Sequence, residues 1–582
     1  MTPMNSYFLK GPNGALFLCD YGSESSACVV HFPAFAEEMN KSRHLVHQQA
    51  EVLASAGYRV IILDPFGTGD SEGDFSDATP ERWIADFDFL LSVLADQGAE
   101  HFTAWGLRAG CLLANAVALS KPVFDRFLFW APMLDGKAVL AQFLRLRIAA
   151  SMMAGQRETV NDLKAAISGG SSVIEVAGYG LHPDLPAQLE ELSLDVSTFS
   201  DVDTVCWMDI SSREGAELSL PARKLIDQLA GKMTVVSRVI YGDAFWGTQE
   251  LAFVPALIEQ TAQLLGSASG KVVGAYSIDL HRSTTNICEP MIVSCHEHTL
   301  LTLIHDSTPD ILSDLAVVIV VGGPQYRIGS HRQFLLLSRY LATHGITNIR
   351  FDYRGMGNSG GKLTGFESID DDIRATIDAL IERRPAIKRI VLWGLCDGAT
   401  ASVFYAPNDQ RVVGLVLLNP WVRSEQGEAE AFLKHYYLSR FLSKSFWKKF
   451  LSGGVNFRQS ISSLVTLLNT RFARSTEKVI PDHALSLPRL ESGIALPERL
   501  WTHLQAFSGK TKCILSENDL TAAEFRLAVK ASDVLSLWCE GDDVEMIEIA
   551  GADHTFSTRE WRDQVAHVTA HWVKQLDLSV TK

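Results

Sequence analysis

Ile390-Val-Leu-Trp-Gly394-Leu395-Cys396-Asp397-Gly398-Ala399-Thr400 is the stretch on which the reading of this chain turns. An apolar run of strand type ends in Gly-x-Cys-x-Gly and passes at once into small residues of helical type. A sharp strand-to-helix turn of this kind exposes its middle side chain, and the flanking glycines admit a backbone that a Cβ would block. Such an elbow presents a nucleophile, and the residue presented here is Cys396. A cysteine behind an apolar strand is also a common small buried hydrophobe. The glycine frame, with an acid and a histidine further along the chain, favours catalysis.

Outward from the elbow, the runs Ala316–Val321, Asn348–Phe351 and Gly414–Pro420 read as strands. The loops beside them are Gly322-Gly-Pro-Gln-Tyr-Arg327 and Asp352-Tyr-Arg-Gly355-Met-Gly357-Asn-Ser359. The first half of the chain has the same order. Tyr7–Leu9 and Ala15–Cys19 flank a hairpin turn, and Cys28–Phe32, Tyr58–Leu63, Phe102–Trp105 and Phe127–Pro132 follow as strands, with helices through about Ser55 and from about Thr79 to Gln97. Strands alternating with helices give βαβ units and a mainly parallel sheet. Asp64 pairs with Asp352, Arg108 with Cys396 and Pro132 with Pro420, each at a separation of 288 residues. One constant offset across three anchors indicates duplication. Leu265-Gly-Ser-Ala-Ser-Gly-Lys271 has linker composition, which gives expected domains of 1–267 and 268–582. Each half carries a helix-patterned insertion, about 135–195 and about 422–500, expected to cap the strand ends.

A chain of 582 residues exceeds one hydrophobic core. Its formal net charge of −16 argues against nucleic acid and against any general attraction to anionic membranes. The N-terminal stretch lacks the basic and apolar regions of a signal peptide, and no long uncharged apolar segment follows. Nine cysteines lie scattered without metal-ligand spacing, so reduced thiols and a cytoplasmic location are expected, with neither metal nor cofactor. Gly355–Gly361 lacks the lysine spacing of a phosphate loop and reads as a structural turn. His296 and His298 have no third ligand in sequence.

Both halves look like the α/β-hydrolase fold. The second resembles the first of two hydrolase families associated with exosortase A systems, through Gly323–Arg327, Asp352–Ser359, Trp393–Gly398 and Asn518–Thr521. The first half is similar to the second of those families, through Pro33–Lys41, Trp105–Arg108 and Glu175–Tyr179. The resemblance implies a bacterial cytoplasmic hydrolase tied to exopolysaccharide or protein-sorting loci, where acyl ligases and acyl carrier proteins also occur.

A cysteine reacts as its thiolate and needs a base or a positive environment. His554 follows the last strand-like run, Val544–Ile549, and Asp519 follows the strand Lys512–Ser516. In this fold nucleophile, acid and histidine come in that chain order. Glu517 is the fallback acid, and Asp553 an alternative partner for the histidine. The oxyanion hole would use the amide of Asp397 and that of Gln325, since Pro324 has no amide hydrogen. In the first half Arg108 stands in the elbow, and Tyr241-Gly-Asp-Ala-Phe-Trp246 has no histidine where the second half has His554. That half is therefore expected to perform no acyl-enzyme chemistry. Arg108 should seek a carboxylate, with Glu37 and Glu38 the candidates, either as a relic ion pair or as a clamp for an anionic ligand. Lys434–Phe450 is basic at helical spacing, either a solvated lid face or a dock for an acidic carrier protein or lipid headgroup.

The expectation is two tandem α/β-hydrolase domains, the second an esterase or thioesterase acting on an acyl ester or thioester through Cys396. Transfer of the acyl group from a carrier thioester to an amine or hydroxyl is the alternative reaction, and a non-catalytic binding scaffold the alternative class.

Overall fold

The apolar runs form strands: β1 Met4–Lys10, β2 Ala15–Tyr21, β3 Ala27–Phe32, β4 Arg59–Leu63, β5 His101–Leu107, β6 Phe124–Trp130, a small pair β7 Ile174–Val176 and β8 Tyr179–Leu181, then β9 Thr204–Ser211 and β10 Thr234–Tyr241. The second half supplies β11 Cys288–Cys295, β12 His298–His305, β13 Leu315–Val320, β14 Thr347–Phe351, β15 Arg389–Leu395, β16 Val412–Leu418, β17 Lys510–Ser516 and β18 Val544–Ile549. This computed structural model describes residues 4–22, 25–153, 155–170, 172–199, 202–248, 251–273, 288–308, 313–323, 325–422 and 494–579. They gather into two compact units. Unit 1 is Met1–Gly365, Asp371–Lys388 and Ser557–Lys582, and unit 2 is Phe366–Asp370 and Arg389–Phe556.

In unit 1 the first sheet runs β1-β2-β4-β3-β5-β6-β9-β10. β2 is antiparallel to β1 and β4, and the other pairings are parallel. Unit 1 also holds the start of the repeat, where β12 is antiparallel to β11 and β14 while β13 is parallel to β14. Unit 2 holds β15, β16, β17 and β18, paired in that order and parallel throughout. The result is an α/β fold with two mostly parallel sheets flanked by helices.

Repetition at 288 residues extends to irregular features. A register shift falls between Phe102 and Thr103 where β5 meets β6, and another between Ile390 and Val391 where β15 meets β16. After β4, the Asp70 amide donates to Asp64 Oδ2 at 2.9 Å; after β14, the Asn358 amide donates to Asp352 Oδ2 at 2.9 Å. A β-bulge is a specific local device, so its recurrence at one offset marks a shared backbone frame.

Packing in unit 1 crosses the linker. Leu301 and Leu303 of β12 join a buried cluster with Phe17, Tyr21, Val60 and Trp105. Beside it the fully buried Asp70 carboxylate lies 2.8 Å from both Arg327 and Arg350. The linker at 265–271 joins two stretches of one compact unit.

The insertion at 135–195 contains helices Gly136–Met153, Val160–Ser168 and Leu185–Glu191, together with the β7–β8 hairpin. The hairpin turns on Ala177 and Gly178 at φ 47° and 83°, the left-handed pair that a tight two-residue turn requires. Most of the second insertion, with the basic segment Lys434–Phe450, lies outside the described residues.

Candidate active site

Strand β15 is buried from Ile390 to Leu395 and ends at Cys396, which is half-buried with φ 59° and ψ −123°. This left-handed backbone is costly for a residue with a Cβ and persists only where its surroundings fix it. The Cys396 amide donates to the Leu418 carbonyl at 2.8 Å, and the Cys396 carbonyl accepts from Ala399 and Thr400 at 3.1 and 3.2 Å. A Cβ on Gly394 would lie 2.5 Å from the Gly398 backbone, so glycine is needed there for the helix Asp397–Tyr405 to sit against the strand. The dipole of that helix favours negative charge at its start, here a thiolate.

Asp519 ends the loop after β17 and caps the helix Leu520–Ala531, its Oδ2 accepting from the Ala522 amide at 2.9 Å. Its Oδ1 lies 3.0 Å from His554 Nδ1. Burial disfavours the imidazolium of His554, but the Asp519 carboxylate outweighs it with help from Asp397 and Asp553, and the pKa is raised. Burial likewise works against the Asp519 carboxylate, yet His554 and the capped amides bring its pKa down. The pair therefore favours an imidazolium beside a carboxylate.

Asp519 is thus the carboxylate that lies beside His554. Glu517 is engaged elsewhere, accepting from the Gly551 amide at 2.7 Å. Of the two oxyanion candidates, Asp397 opens the elbow helix in unit 2, its carboxylate accepting from the Gly398 amide at 3.1 Å. Gln325 belongs to unit 1, where its side chain donates to Glu37 at 2.9 Å.

Two residues near the histidine escaped the sequence reading. Asn419, fully buried at φ 42°, donates to the Ser516 hydroxyl at 2.9 Å and to the His554 carbonyl at 3.0 Å, and accepts from the Ser516 amide at 2.8 Å. Ser516 in turn donates to the Asp553 carbonyl at 2.7 Å. The usable signal was the 288-residue offset, which places Asn419 opposite Ala131.

In the first half the elbow keeps its shape, with an arginine where the second half has its cysteine. Arg108 has φ 56°, and its amide donates to the Trp130 carbonyl at 3.0 Å. The guanidinium reaches Glu38 at 3.2 Å and Gln142 at 3.1 Å, and its carbon sits 4.8 Å from the Trp246 ring centre. Burial raises the pKa of Glu38 despite Arg108 beside it. Glu37 makes its contacts elsewhere, accepting from Tyr179, Asn40, Gln325 and the His331 amide at 2.9 to 3.1 Å. Near Ala109 an apolar cavity of about 30 Å³ remains, lined by Phe35, Met39, Trp83 and Leu189 among others.

His296 pairs with Asp371 at 2.8 Å. Among the described residues no group of three or more His, Cys, Asp or Glu side chains is placed to hold a metal, and no helix is long and apolar enough to cross a membrane.

The family described as "Serine aminopeptidase, S33" (Hydrolase_4) matches residues 314–474, a span that includes Cys396 but neither Asp519 nor His554. No curated protein matches the chain. Among solved structures, an esterase from Pyrococcus furiosus is 14% identical over 52% of this chain and 96% of its own, with a TM-score of 0.34. A proline iminopeptidase from Mycobacterium smegmatis is 16% identical over 50% of this chain and 100% of its own, at 0.33. One of two esterases from Rhizomucor miehei is 18% identical over 51% of this chain and 85% of its own, at 0.33.

Proposed function

We propose that the protein is an acyl hydrolase, an esterase or thioesterase, whose nucleophile is Cys396. The observation that carries this reading is one compact unit with a strained Gly-x-Cys-x-Gly elbow and a His554–Asp519 pair at 3.0 Å. The matched family is described by a serine, and a cysteine stands in the elbow here.

The chemistry follows from the groups present. His554 takes the Cys396 thiol proton, and the thiolate adds to the acyl carbonyl carbon. The oxyanion so formed is met by the Asp397 amide at the helix start. Collapse expels the alcohol or thiol, which takes the proton back from His554, and leaves the acyl group as a thioester on Cys396. Water then attacks with His554 as base, the acid departs and the thiol is restored. Asp519 holds the imidazole in orientation and stabilises its charged form throughout.

The first half is proposed to be non-catalytic, because a guanidinium is no nucleophile and Arg108 lies within reach of Glu38 and Gln142. Intact-mass spectrometry after incubation with acyl thioesters tests the whole reading. Wild type should gain one acyl mass and Cys396→Ala none. Acylation of the Ala variant would move the nucleophile elsewhere, and an unmodified wild type would leave a binding scaffold. Faster release with an amine or hydroxyl acceptor than with water would make the enzyme a transferase.

A further inference from the structure

The geometry points to Asn419 as the residue that positions His554 against Cys396, an inference that rests on the catalytic reading of those two residues. Asn419 follows Leu418 at the end of β16. Leu418 accepts the Cys396 amide at 2.8 Å, and the Asn419 side chain donates to the His554 carbonyl at 3.0 Å. Two consecutive residues therefore tie down both the nucleophile and the base. Ser516 completes the bracket: it binds both ends of the Asn419 amide and holds the Asp553 carbonyl at 2.7 Å. The histidine loop thus hangs by two successive carbonyls from a buried amide–hydroxyl pair. Its ring is then free to meet Asp519.

A simpler account is that asparagine stands at 419 only because it tolerates a left-handed backbone. The duplicated half argues against it. Ala131, 288 residues earlier, has φ 44° against 42° for Asn419, and its amide likewise donates to a neighbouring strand, at 2.7 Å from the Met208 carbonyl. The bond from the elbow amide to the preceding carbonyl is kept there too, Arg108 to Trp130 at 3.0 Å. So the backbone frame holds without an asparagine. Where the nucleophile and histidine are missing, the side-chain amide is missing with them; where both are present, it is present and bonded to the histidine loop.

The charges facing His554 come from Asp519, Asp397 and Asp553, and none is altered by substituting Asn419. A positioning role therefore predicts a defect in proton transfer without loss of charge. The test compares wild type, Asn419→Ala and Ser516→Ala in two measurements: alkylation of Cys396 by iodoacetamide from pH 5 to 10, and acylation by a short-chain acyl thioester at pH 7, both followed by intact mass. Thermal unfolding shows whether each variant is folded.

In wild type the thiolate should appear well below the pKa of about 8.5 of a free thiol. In Asn419→Ala that limb should move up toward the free-thiol value, acylation at pH 7 should slow by about 10- to 100-fold, and alkylation should merge with wild type near pH 10. Ser516→Ala removes one hydroxyl and should shift in the same direction by less, which keeps the test decisive if Asn419→Ala does not fold. Superimposable pH profiles for wild type and the folded variants would overturn the inference. A purely structural role would lower the melting temperature and leave the pH limb in place, which also overturns it. A wild-type thiol that ionises like a free one would instead sink the catalytic reading.

Discussion

A thiol attacks poorly until it loses its proton, and in the proposed reaction the groups that govern that step at Cys396 are His554 and the carboxylate behind it. Asp519 does two jobs at once, accepting from the Ala522 amide with one oxygen and lying 3.0 Å from His554 with the other. Asp519→Asn keeps an acceptor for the helix cap and removes the charge. Without that charge the imidazolium loses its main support, the His554 pKa falls, and the thiolate–imidazolium pair forms less readily. Acylation of Cys396 at pH 7 should drop by about 10²- to 10⁴-fold, with the melting temperature nearly unchanged; equal acylation rates in stopped-flow would remove Asp519 from the mechanism. Arg108→Ala should behave in the opposite way. It leaves the Glu38 carboxylate with Gln142, costs about 1–3 kcal/mol in urea unfolding, and does not alter Cys396 acylation. A loss of affinity for an anionic ligand in this variant would favour the clamp over the relic ion pair. At this scale the turn at Cys396 and the approach of Asp519 to His554 were legible because elbow, acid and histidine follow a fixed chain order. Which of Glu37 and Glu38 meets Arg108 was not legible, since successive residues at a helix start point in different directions. Asn419 was invisible for another reason: its partners lie 97 and 135 residues further along the chain.

The Asp64–Gly73 loop shows what a single element needs from outside itself. It curls around the Asp64 carboxylate, with Gly67 and Gly69 at φ 74° and 48°, and so turns several carbonyls outward from its own backbone. Arg332, itself left-handed at φ 64°, fills that ring, donating to the carbonyls of Gly67, Gly69, Ser71 and Gly73 at 2.6 to 2.9 Å. Burial pushes the Arg332 pKa down to about 10, so it is still a cation at neutral pH. Arg339 also reaches the Ser71 and Gly73 carbonyls, at 2.9 and 3.2 Å. In Arg332→Ala the loss therefore falls mainly on Gly67 and Gly69. Two buried carbonyls without donors should cost about 2–6 kcal/mol, read as a lower urea midpoint. Arg332→Lys should recover only part of it, because an ammonium cannot reproduce the planar fork; full recovery would show that charge alone matters. Strands are the part of the fold most legible in sequence, since β2, β3, β4, β13 and β15 are almost wholly buried and read as continuous apolar runs. The β7–β8 hairpin escaped, because its strands have three residues each and lie among helices. Nor does the loop sequence itself say that its ligand is an arginine some 260 residues away.

For the molecule as a whole, unit 1 carries histidines that burial holds neutral and a carboxylate that two arginines hold charged. Burial lowers the pKa of His31 to about 3, with the Arg43 charge adding to it, that of His44 to about 4, and that of His47 to about 3 with His44 and Arg43 contributing. His47 has a structural reason to be neutral, since its Nδ1 lies 2.8 Å from the Tyr21 hydroxyl, which also accepts from Asn358 at 3.2 Å. Each ring has a folded pKa below its unfolded value of about 6.5, so the unfolded chain binds more protons and stability rises with pH across that interval. The contribution is complete above about pH 6.5 and is lost as pH falls toward the folded values. Asp70 acts in the same direction at lower pH. Burial would raise its carboxyl, but Arg327 and Arg350 hold it well below the usual carboxylate range, so its contribution is lost once pH falls below about 3.9. His47 sits where Tyr21 of the first repeat meets Asn358 of the second within unit 1, so its protonation should loosen that packing. The urea midpoint should fall steadily from pH 7 to pH 4, and His47→Gln, which keeps an acceptor for Tyr21 and cannot take up a proton, should show a shallower fall. A wild-type midpoint that stays flat between pH 7 and pH 5 would mean that the histidines are not buried neutral, and that the two repeats do not share a core at His47.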